Sequence, residues 1–182
     1  MISRKKLLTL LISLAITAIA IQLERQDPVS TESPKQESGQ VAAVNPRVTR
    51  VVDGDTFEVS IGDTVEKVRM LGIDTPESVD PRRPVQCFAK EATKKLKELI
   101  EGQEVVLTQD YSNDDRDKYG RMLRYVARMD GLLVNEEMIK EGYAYAYIKF
   151  PFERREAYLK LQTEARTMGR GLWATTTCSG RR

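Results

Sequence analysis

Hydrophobic and polar positions alternate over several short segments in the second and third quarters of the chain. Branched and apolar residues dominate residues 47–52, 57–61 and 65–73, and short polar turns separate these segments. Alternation between turn signals predicts three β-strands. Residues 105–109 and 122–129 have the same character and predict two more strands.

Apolar positions spaced three and four residues apart predict the helices. This pattern starts at Phe88 and ends at Gly102, recurs over residues 135–141, and recurs between Pro151 and Gly169. Glycine directly after the last periodic position is a common helix end. The order of elements predicts an α+β fold, a five-stranded Greek-key β-barrel of the OB type with about three helices. An open α+β sandwich is the alternative.

The N-terminal part of the chain lacks both patterns. A basic start precedes an apolar run over residues 7–21. This combination is typical of a signal peptide over residues 1–21, and it equally fits an N-terminal membrane anchor. Residues 22–46, rich in Ser, Pro, Gln and Glu, predict a flexible linker. We therefore expect a domain over residues 47–177 with a tail over 178–182, either secreted or anchored on the extracytoplasmic side of a membrane.

Composition restricts the chemistry that this chain can perform. The 182 residues include 29 Lys and Arg, 27 Asp and Glu and no histidine, for a formal net charge of +2. The chain therefore has neither a Ser-His-Asp triad nor an imidazole general base. Catalysis would need carboxylates, arginines, lysines, hydroxyl groups or a hard metal ion. Because the charge is nearly balanced, any nucleic-acid binding has to come from local clusters of cations.

The chain contains two cysteines, Cys87 and Cys178. In an oxidising compartment such a pair predicts an intrachain disulfide. Two unpaired thiols are the alternative.

Three polar segments interrupt the predicted elements, and the first is Asp53-Gly54-Asp55-Thr56. Two carboxylates around a glycine form a common β-turn. They also offer the oxygen ligands that a hard cation such as Ca²⁺ prefers. Taken alone, this segment is compatible with both interpretations.

The second polar segment spans residues 68–77. Arg69 interrupts an apolar strand, and Asp74 and Glu77 follow at the end of that strand. A buried arginine needs a partner or an anionic ligand, whereas an outward-facing arginine needs neither. Simple alternation puts Arg69 and Asp74 on opposite faces of the strand. For both to serve one site the strand has to bend, and Gly72 is suited to that bend.

The third polar segment is Asp117-Lys118-Tyr119-Gly120-Arg121. Its glycine suits a solvated hairpin loop. Alternatively, the segment presents an arginine, a lysine and a tyrosine to an anion. Together the three segments supply two arginines, several carboxylates and hydroxyl groups, a set that suits metal-assisted hydrolysis of phosphate esters.

In their order and intervals, the three segments resemble the signature segments of the staphylococcal nuclease (thermonuclease) family. The likeness extends from about Arg47 to Trp173. It implies an OB-fold barrel that uses one Ca²⁺ ion to cleave DNA and RNA with little sequence specificity, leaving 3′-phosphate ends. We expect a monomer that acts on single-stranded or unpaired nucleic acid.

The resemblance also implies roles for individual residues. Arg69 and Arg121 match the arginines that stabilise the transition state, and Glu77 matches the residue that orients or activates the attacking water. Lys118 and Tyr119 match residues that contact a nucleotide phosphate. These five assignments are predictions of catalytic and substrate-binding residues.

The implied calcium ligands are Asp55, Asp74 and the backbone carbonyl of Thr75, with Asp53 as an outer carboxylate. The base-stacking tyrosine of the family aligns only approximately with this chain, which leaves three candidates: Tyr143, Tyr145 and Tyr147. A catalytically silent module that binds nucleic acid or a protein is the alternative function. The chain keeps every arginine and carboxylate of the family motifs, which favours the enzyme.

Overall fold

A computed structural model describes residues 45–78, 81 and 84–181 of the chain. The predicted signal peptide or anchor, with its apolar run over residues 7–21, lies outside the described residues. So does the predicted linker, apart from its last two residues. None of the helices in the described residues combines the length and the hydrophobicity of a membrane span.

The described residues form seven strands, five of which make one mixed sheet. In chain order the strands are β1 Arg47–Val51, β2 Thr56–Ile61, β3 Thr64–Met70, β4 Ile73–Asp74, β5 Val105–Thr108, β6 Met122–Arg128 and β7 Tyr145–Ala146. The five-stranded sheet has the order β1-β2-β3-β6-β5, and β4 pairs with β7 in a separate ribbon. Only the β3–β6 pair is parallel, and the other pairs are antiparallel.

Three α-helices cover the sheet in the described residues, as predicted. They are α1 Ala89–Ile100, α2 Val134–Lys140 and α3 Arg155–Thr167, and a short 3-10 helix follows at Gly171–Trp173. Their apolar faces and the inner face of the sheet bury one core, which includes Phe57, Val68, Met70, Ile73, Leu96, Ile100, Met138, Ile139 and Tyr158. Each large apolar side chain buried in this way stabilises the fold by roughly 1.5–3 kcal/mol.

The sheet does not close into the predicted barrel. Its edge strands β1 and β5 do not pair as a ladder: Arg47 bridges to Glu104, the residue before β5, and the Val105 N–H donates to the Pro46 carbonyl (2.9 Å). Further along β1, residues of the turn after α1 form hydrogen bonds with the strand. The Val51 N–H donates to a Glu101 carboxylate oxygen (2.8 Å), and the Gly102 N–H donates to the Val48 carbonyl (3.0 Å). The fold is therefore α+β. The gap between the edge strands β1 and β5, called the seam of the sheet below, is covered by a turn instead of a strand.

The predicted third strand is broken in the middle. β3 ends at Met70, and the chain turns at Gly72, whose φ is 73°, before β4 begins. A Cβ atom at Gly72 would lie 2.7 Å from the Phe152 ring and 2.9 Å from the Tyr158 ring. The bend needed to bring Arg69 and Asp74 together is therefore present, and it requires glycine for both conformation and space.

The predicted disulfide is confirmed. Cys87 and Cys178 are bonded, with their Cα atoms 5.9 Å apart and a sequence separation of 91. Cys178 is buried, and the Gly180 N–H donates to the Leu172 carbonyl (2.8 Å). The described part of the C-terminal tail therefore packs on the domain.

Candidate active site

Arg69 lies at the end of β3 with its guanidinium between two carboxylates. Its Nε is 3.1 Å from Oδ1 of Asp55, and its Nη2 is 3.2 Å from Oδ1 of Asp74. Its Nη1 donates to the carbonyls of Met70 (2.6 Å) and Ile73 (2.8 Å). Of the two alternatives for Arg69, the structure shows the buried one: the guanidinium has two carboxylate partners, and main-chain carbonyls fix its orientation.

Asp55 is buried in the turn before β2, and protein groups satisfy both of its oxygens. Oδ2 accepts hydrogen bonds from the Thr75 N–H (2.9 Å) and the Thr75 hydroxyl (3.1 Å), and Oδ1 accepts one from the Thr56 hydroxyl (3.0 Å). A Cβ atom at Gly54 would lie 2.8 Å from Oγ1 of Thr75. Glycine at this turn thus lets Asp55 approach Thr75 closely.

Asp53 lies next to Asp55 and interacts electrostatically with its carboxylate. The Asp55 N–H donates to Oδ1 of Asp53 (3.0 Å). Burial, together with the negative charge of Asp55, raises the pKa of Asp53 to about 7. Two carboxylates this close do not both ionise readily, so the turn carries less negative charge at neutral pH than its sequence indicates.

Arg121 is held by Asp117 in the loop before β6. Its Nε and Nη2 lie 2.7 Å and 2.6 Å from Oδ2 of Asp117. The other carboxylate oxygen accepts the N–H groups of Tyr119 (2.9 Å) and Arg121 (3.0 Å). Although burial opposes the shift, these hydrogen bonds hold the pKa of Asp117 below its usual value. The ionised Asp117 carboxylate therefore organises this loop and fixes the orientation of the Arg121 guanidinium.

The two arginines are connected through Thr56. Nη1 of Arg121 lies 3.4 Å from the Thr56 hydroxyl, and that hydroxyl donates to the same Asp55 oxygen that faces Arg69. Two guanidinium groups from β3 and the loop before β6 thus converge on one turn.

Tyr119 stands at the mouth of the site between two cations. Its side chain is 71% exposed, and its ring centroid lies 5.0 Å from Nζ of Lys118 and 5.4 Å from Cζ of Arg121. An aromatic ring with two cations over it offers a stacking surface and positive charge at the same place.

These groups line one cleft of about 560 Å³. Five of the predicted site residues contribute to its wall: Arg69, Asp74, Lys118, Tyr119 and Arg121. Asp55 and Thr75 contact this group through Arg69 and through each other. The structure therefore brings residues of all three polar segments together at one site, whereas Glu77 is not among the residues that line the cleft.

Glu77 lies just beyond β4 in a half-buried position. Its N–H donates to Oε1 of Gln86 (2.7 Å), and its carbonyl accepts the Gln86 N–H (2.9 Å). Glu77 thus sits in a segment whose main chain is fixed.

The structure separates the three candidate tyrosines. Tyr143 packs on Phe88 with ring centroids 5.3 Å apart, and Tyr145 is buried edge-on against Trp173. Tyr147 lines the cleft, and its N–H donates to the Gly72 carbonyl (2.8 Å). A strand-like alternation would put all three tyrosines on one face, but the strand here is only two residues long.

Sequence reasoning missed Phe150. Its side chain is 61% exposed, it lines the cleft, and its ring centroid lies 6.0 Å from that of Tyr147. The signal in the sequence was an aromatic residue next to a lysine and a proline, outside any periodic element.

Three aspartates, Asp74, Asp114 and Asp117, line the cleft. Among the described residues, no group of three or more His, Cys, Asp or Glu side chains could hold a metal ion. Asp55 and Asp74 are two carboxylates that face one guanidinium, and the main chain of Thr75 follows directly. Any cation site here would combine two carboxylates with carbonyl oxygens and further ligands from outside the protein.

Comparison with known proteins agrees with this geometry. The family model "Staphylococcal nuclease homologue" matches residues 67–175. The thermonuclease of Staphylococcus hyicus is 33% identical over 174 residues, which cover 93% of this chain and 99% of that protein. The thermonuclease of Staphylococcus intermedius is 33% identical over 171 residues, which cover 93% and 98% of the two chains. Endonuclease YncB of Bacillus subtilis (strain 168) is 38% identical over 133 residues, which cover 72% of this chain and 62% of that protein. The chain belongs to the staphylococcal nuclease family.

Proposed function

We propose that this chain is a Ca²⁺-dependent endonuclease that hydrolyses phosphodiester bonds in DNA and RNA with little sequence specificity. The observation that carries the proposal is the convergence of Arg69 and Arg121 on one cleft, with Lys118 and Tyr119 at its mouth. A phosphodiester is the anion that such a cluster of cations and hydroxyl groups suits. Membership of a nuclease family supports the same activity.

The residues around Asp55 fit a calcium ion by the chemistry of their donors. Carboxylate oxygens of Asp55 and Asp74 and the carbonyl of Thr75 would hold it, since Ca²⁺ takes oxygen ligands from carboxylates, carbonyls and water. A bound Ca²⁺ ion would polarise the phosphoryl oxygens and offset their charge. Because these ligands are few, the remaining coordination positions would be left for water and the substrate phosphate.

The arginines would stabilise the charge that grows on the phosphoryl oxygens during the reaction. Carbonyls and two carboxylates fix Arg69, and Asp117 fixes Arg121. Groups that are already oriented need no reorganisation when the charge develops, which is the main source of electrostatic catalysis. Lys118 and Tyr119 would contact a phosphate of a neighbouring nucleotide.

We assign to Glu77 the orientation of the attacking water and the acceptance of its proton. The water oxygen forms a bond to phosphorus while the bond from phosphorus to the 5′ oxygen breaks. That oxygen leaves and takes up a proton from solvent, which produces a 5′-hydroxyl and a 3′-phosphate, and Glu77 later returns its proton to solvent. A carboxylate performs this work without histidine, in agreement with the composition of the chain.

The cleft would favour unpaired strands. Tyr147 and Phe150 extend it with aromatic surface, and a base stacks on such a surface only where it is free of its partner strand. The substrate class proposed is therefore single-stranded or unpaired DNA and RNA.

The proposed location is outside the cytoplasm, secreted or held at a membrane through residues 7–21. The Cys87–Cys178 disulfide supports it, because disulfides persist in oxidising compartments.

The test is cleavage of single-stranded DNA and RNA oligonucleotides by the folded full chain in Ca²⁺, in Mg²⁺ and in chelator. We expect cleavage in Ca²⁺ with 3′-phosphate products and none in chelator. Binding without cleavage in Ca²⁺ would contradict the proposal and favour a silent nucleic-acid-binding module.

A further inference from the structure

Two hydrogen bonds join residues 77 and 86 and hold the main chain of Glu77 from both sides. The Glu77 N–H donates to Oε1 of Gln86 (2.7 Å), and the Gln86 N–H donates to the Glu77 carbonyl (2.9 Å). Both peptide groups that flank the Glu77 Cα are therefore fixed. This fixes the direction of its Cα–Cβ bond, so the carboxylate moves only through side-chain torsions.

Gln86 is itself anchored by the start of α1 and by the disulfide. Its carbonyl accepts a hydrogen bond from the Ala89 N–H (3.2 Å) in the first turn of α1. The next residue, Cys87, is bonded to Cys178, which is buried in the domain. The side-chain amide that holds Glu77 therefore stands on a rigid support.

Helix α1 supports the other side of the same segment. Ser78 follows Glu77, and its hydroxyl lies 3.4 Å from the hydroxyl of Thr93 in α1. The Thr93 hydroxyl donates to the Ala89 carbonyl (3.0 Å). The segment that contains Glu77 is thus hydrogen-bonded to Gln86 on one side and contacts α1 through Ser78 on the other. Because Gln86 is itself hydrogen-bonded to Ala89, both contacts connect the segment to α1.

We infer that Gln86 is a positioning residue for Glu77: its amide oxygen fixes the main chain from which the Glu77 carboxylate reaches the attacking water. Gln86 lines a separate depression beside the disulfide, with Pro84 and Arg181, and therefore acts through Glu77 and not on the substrate. The inference rests on the role proposed above for Glu77. Misplacing a catalytic group by about 1 Å costs on the order of 100-fold in rate, so a lost anchor has a measurable effect.

Three variants test this inference in the full chain. Gln86→Met removes the amide oxygen and keeps the length of the side chain, whereas Gln86→Glu keeps an oxygen acceptor for the Glu77 N–H. Gln103→Met is the matched control, because Gln103 is exposed beyond the opposite end of α1, a 12-residue helix. That helix separates the two sites by about 18 Å.

We expect Gln86→Met to lower kcat by about 10- to 100-fold while KM for an oligonucleotide stays within about twofold of wild type. Gln86→Glu restores most of kcat, and Gln103→Met behaves as wild type. Hydrogen exchange of the Glu77 amide, measured by NMR, becomes faster in Gln86→Met alone. A wild-type kcat for Gln86→Met, or a loss that Gln86→Glu does not restore, would overturn the inference.

A Glu77→Gln background separates positioning from general damage. If Gln86 acts through Glu77, adding Gln86→Met to Glu77→Gln changes the rate by less than about twofold. An equal loss in both backgrounds would overturn the inference and leave the proposed nuclease function intact. Full activity of Glu77→Gln alone would instead overturn the proposed role of Glu77, and the inference with it.

Discussion

Nε of Arg69 lies 3.1 Å from Oδ1 of Asp55, and the two side chains retain only 14% and 8% of their full exposure. One buried ion pair thus joins a proposed transition-state cation to a proposed metal ligand. Changing Arg69 therefore leaves the buried Asp55 carboxylate without its cation, whereas changing Asp55 leaves Arg69 with Asp74 as its remaining carboxylate partner.

Arg69→Ala is expected to lower kcat on single-stranded DNA by at least about 100-fold and to lower the melting temperature as well. Arg69→Lys does not restore the rate, because one ammonium group cannot replace a guanidinium that contacts two carboxylates and two carbonyls. Steady-state kinetics and thermal unfolding measure both effects. The control is Arg50→Ala, whose exposed pair with Glu58 lies away from the cleft and contributes little. Near-wild-type activity of Arg69→Lys would contradict this account.

Tyr147→Ala is expected to raise KM for single-stranded oligonucleotides by about tenfold, because it removes a ring on which a base stacks. Tyr143→Ala is the matched control, since Tyr143 packs on Phe88 and affects stability instead of KM. The measurement is the KM of each variant for the oligonucleotide at saturating Ca²⁺, which shows whether the loss of binding is specific to Tyr147. An equal change in both variants would mean that Tyr147 has no special contact with substrate.

The stability of the fold is expected to fall in acid through Asp110. This buried carboxylate accepts hydrogen bonds from the Ser112 hydroxyl (2.5 Å), the Tyr125 hydroxyl (2.5 Å), the Glu153 N–H (2.8 Å) and the Ser112 N–H (2.9 Å). Burial acts in the opposite direction, but these bonds lower the pKa of Asp110 from 3.8 to about 2. A lowered pKa contributes stability that is complete above about pH 4 and is lost as the pH falls toward 2.

The measurement is the free energy of unfolding by denaturant between pH 7 and pH 2. Asp110 contributes about 2 kcal/mol to its decline, and Asp110→Asn loses at least that amount at pH 7 and shows a flatter curve in acid. Asp63→Asn, in the exposed turn between β2 and β3, serves as the control. Parallel curves for wild type and Asp110→Asn would show that another group causes the decline.

Loss of the disulfide is expected to destabilise the domain. The bond closes a loop of 91 positions, and removing such a constraint typically costs about 2–4 kcal/mol. Thermal unfolding with and without reductant, together with the Cys87→Ser/Cys178→Ser double variant, measures this cost. The mass of the unreduced protein should lie two hydrogens below that of the reduced chain. Identical melting temperatures under the two conditions would contradict the expectation.

Sequence reasoning predicted five residues of the cleft wall because the polar residues that stand out in the sequence are concentrated in short segments. Arg69 stands out in an apolar strand, and the arginine at position 121 follows a glycine turn, so both signals are local. The bend at Gly72 could also be anticipated, since two residues on opposite faces of a strand cannot share a site unless the strand turns.

The remaining features depend on contacts between distant segments and leave little local signal. The seam of the sheet is covered because Glu101, at the end of α1, bonds to Val51 some fifty positions earlier. The hydrogen bonds between Glu77 and Gln86 span a loop whose sequence gives no periodic pattern. Of the three candidate tyrosines, Tyr147 alone lines the cleft. The regular strand here has only two residues, so the alternating sequence pattern could not distinguish the three side chains.

Whether the cleft is the active site is tested by comparing Arg121→Ala with Arg128→Ala. Arg121 lines the cleft, whereas Arg128 lies at the far end of β6, paired with Asp130 on the surface. The measurement is the rate of Ca²⁺-dependent cleavage of a single-stranded DNA oligonucleotide by each folded variant and by wild type. We expect a loss of about 100-fold or more for Arg121→Ala and wild-type activity for Arg128→Ala. Equal rates for all three proteins, or no cleavage by wild type, would contradict this expectation.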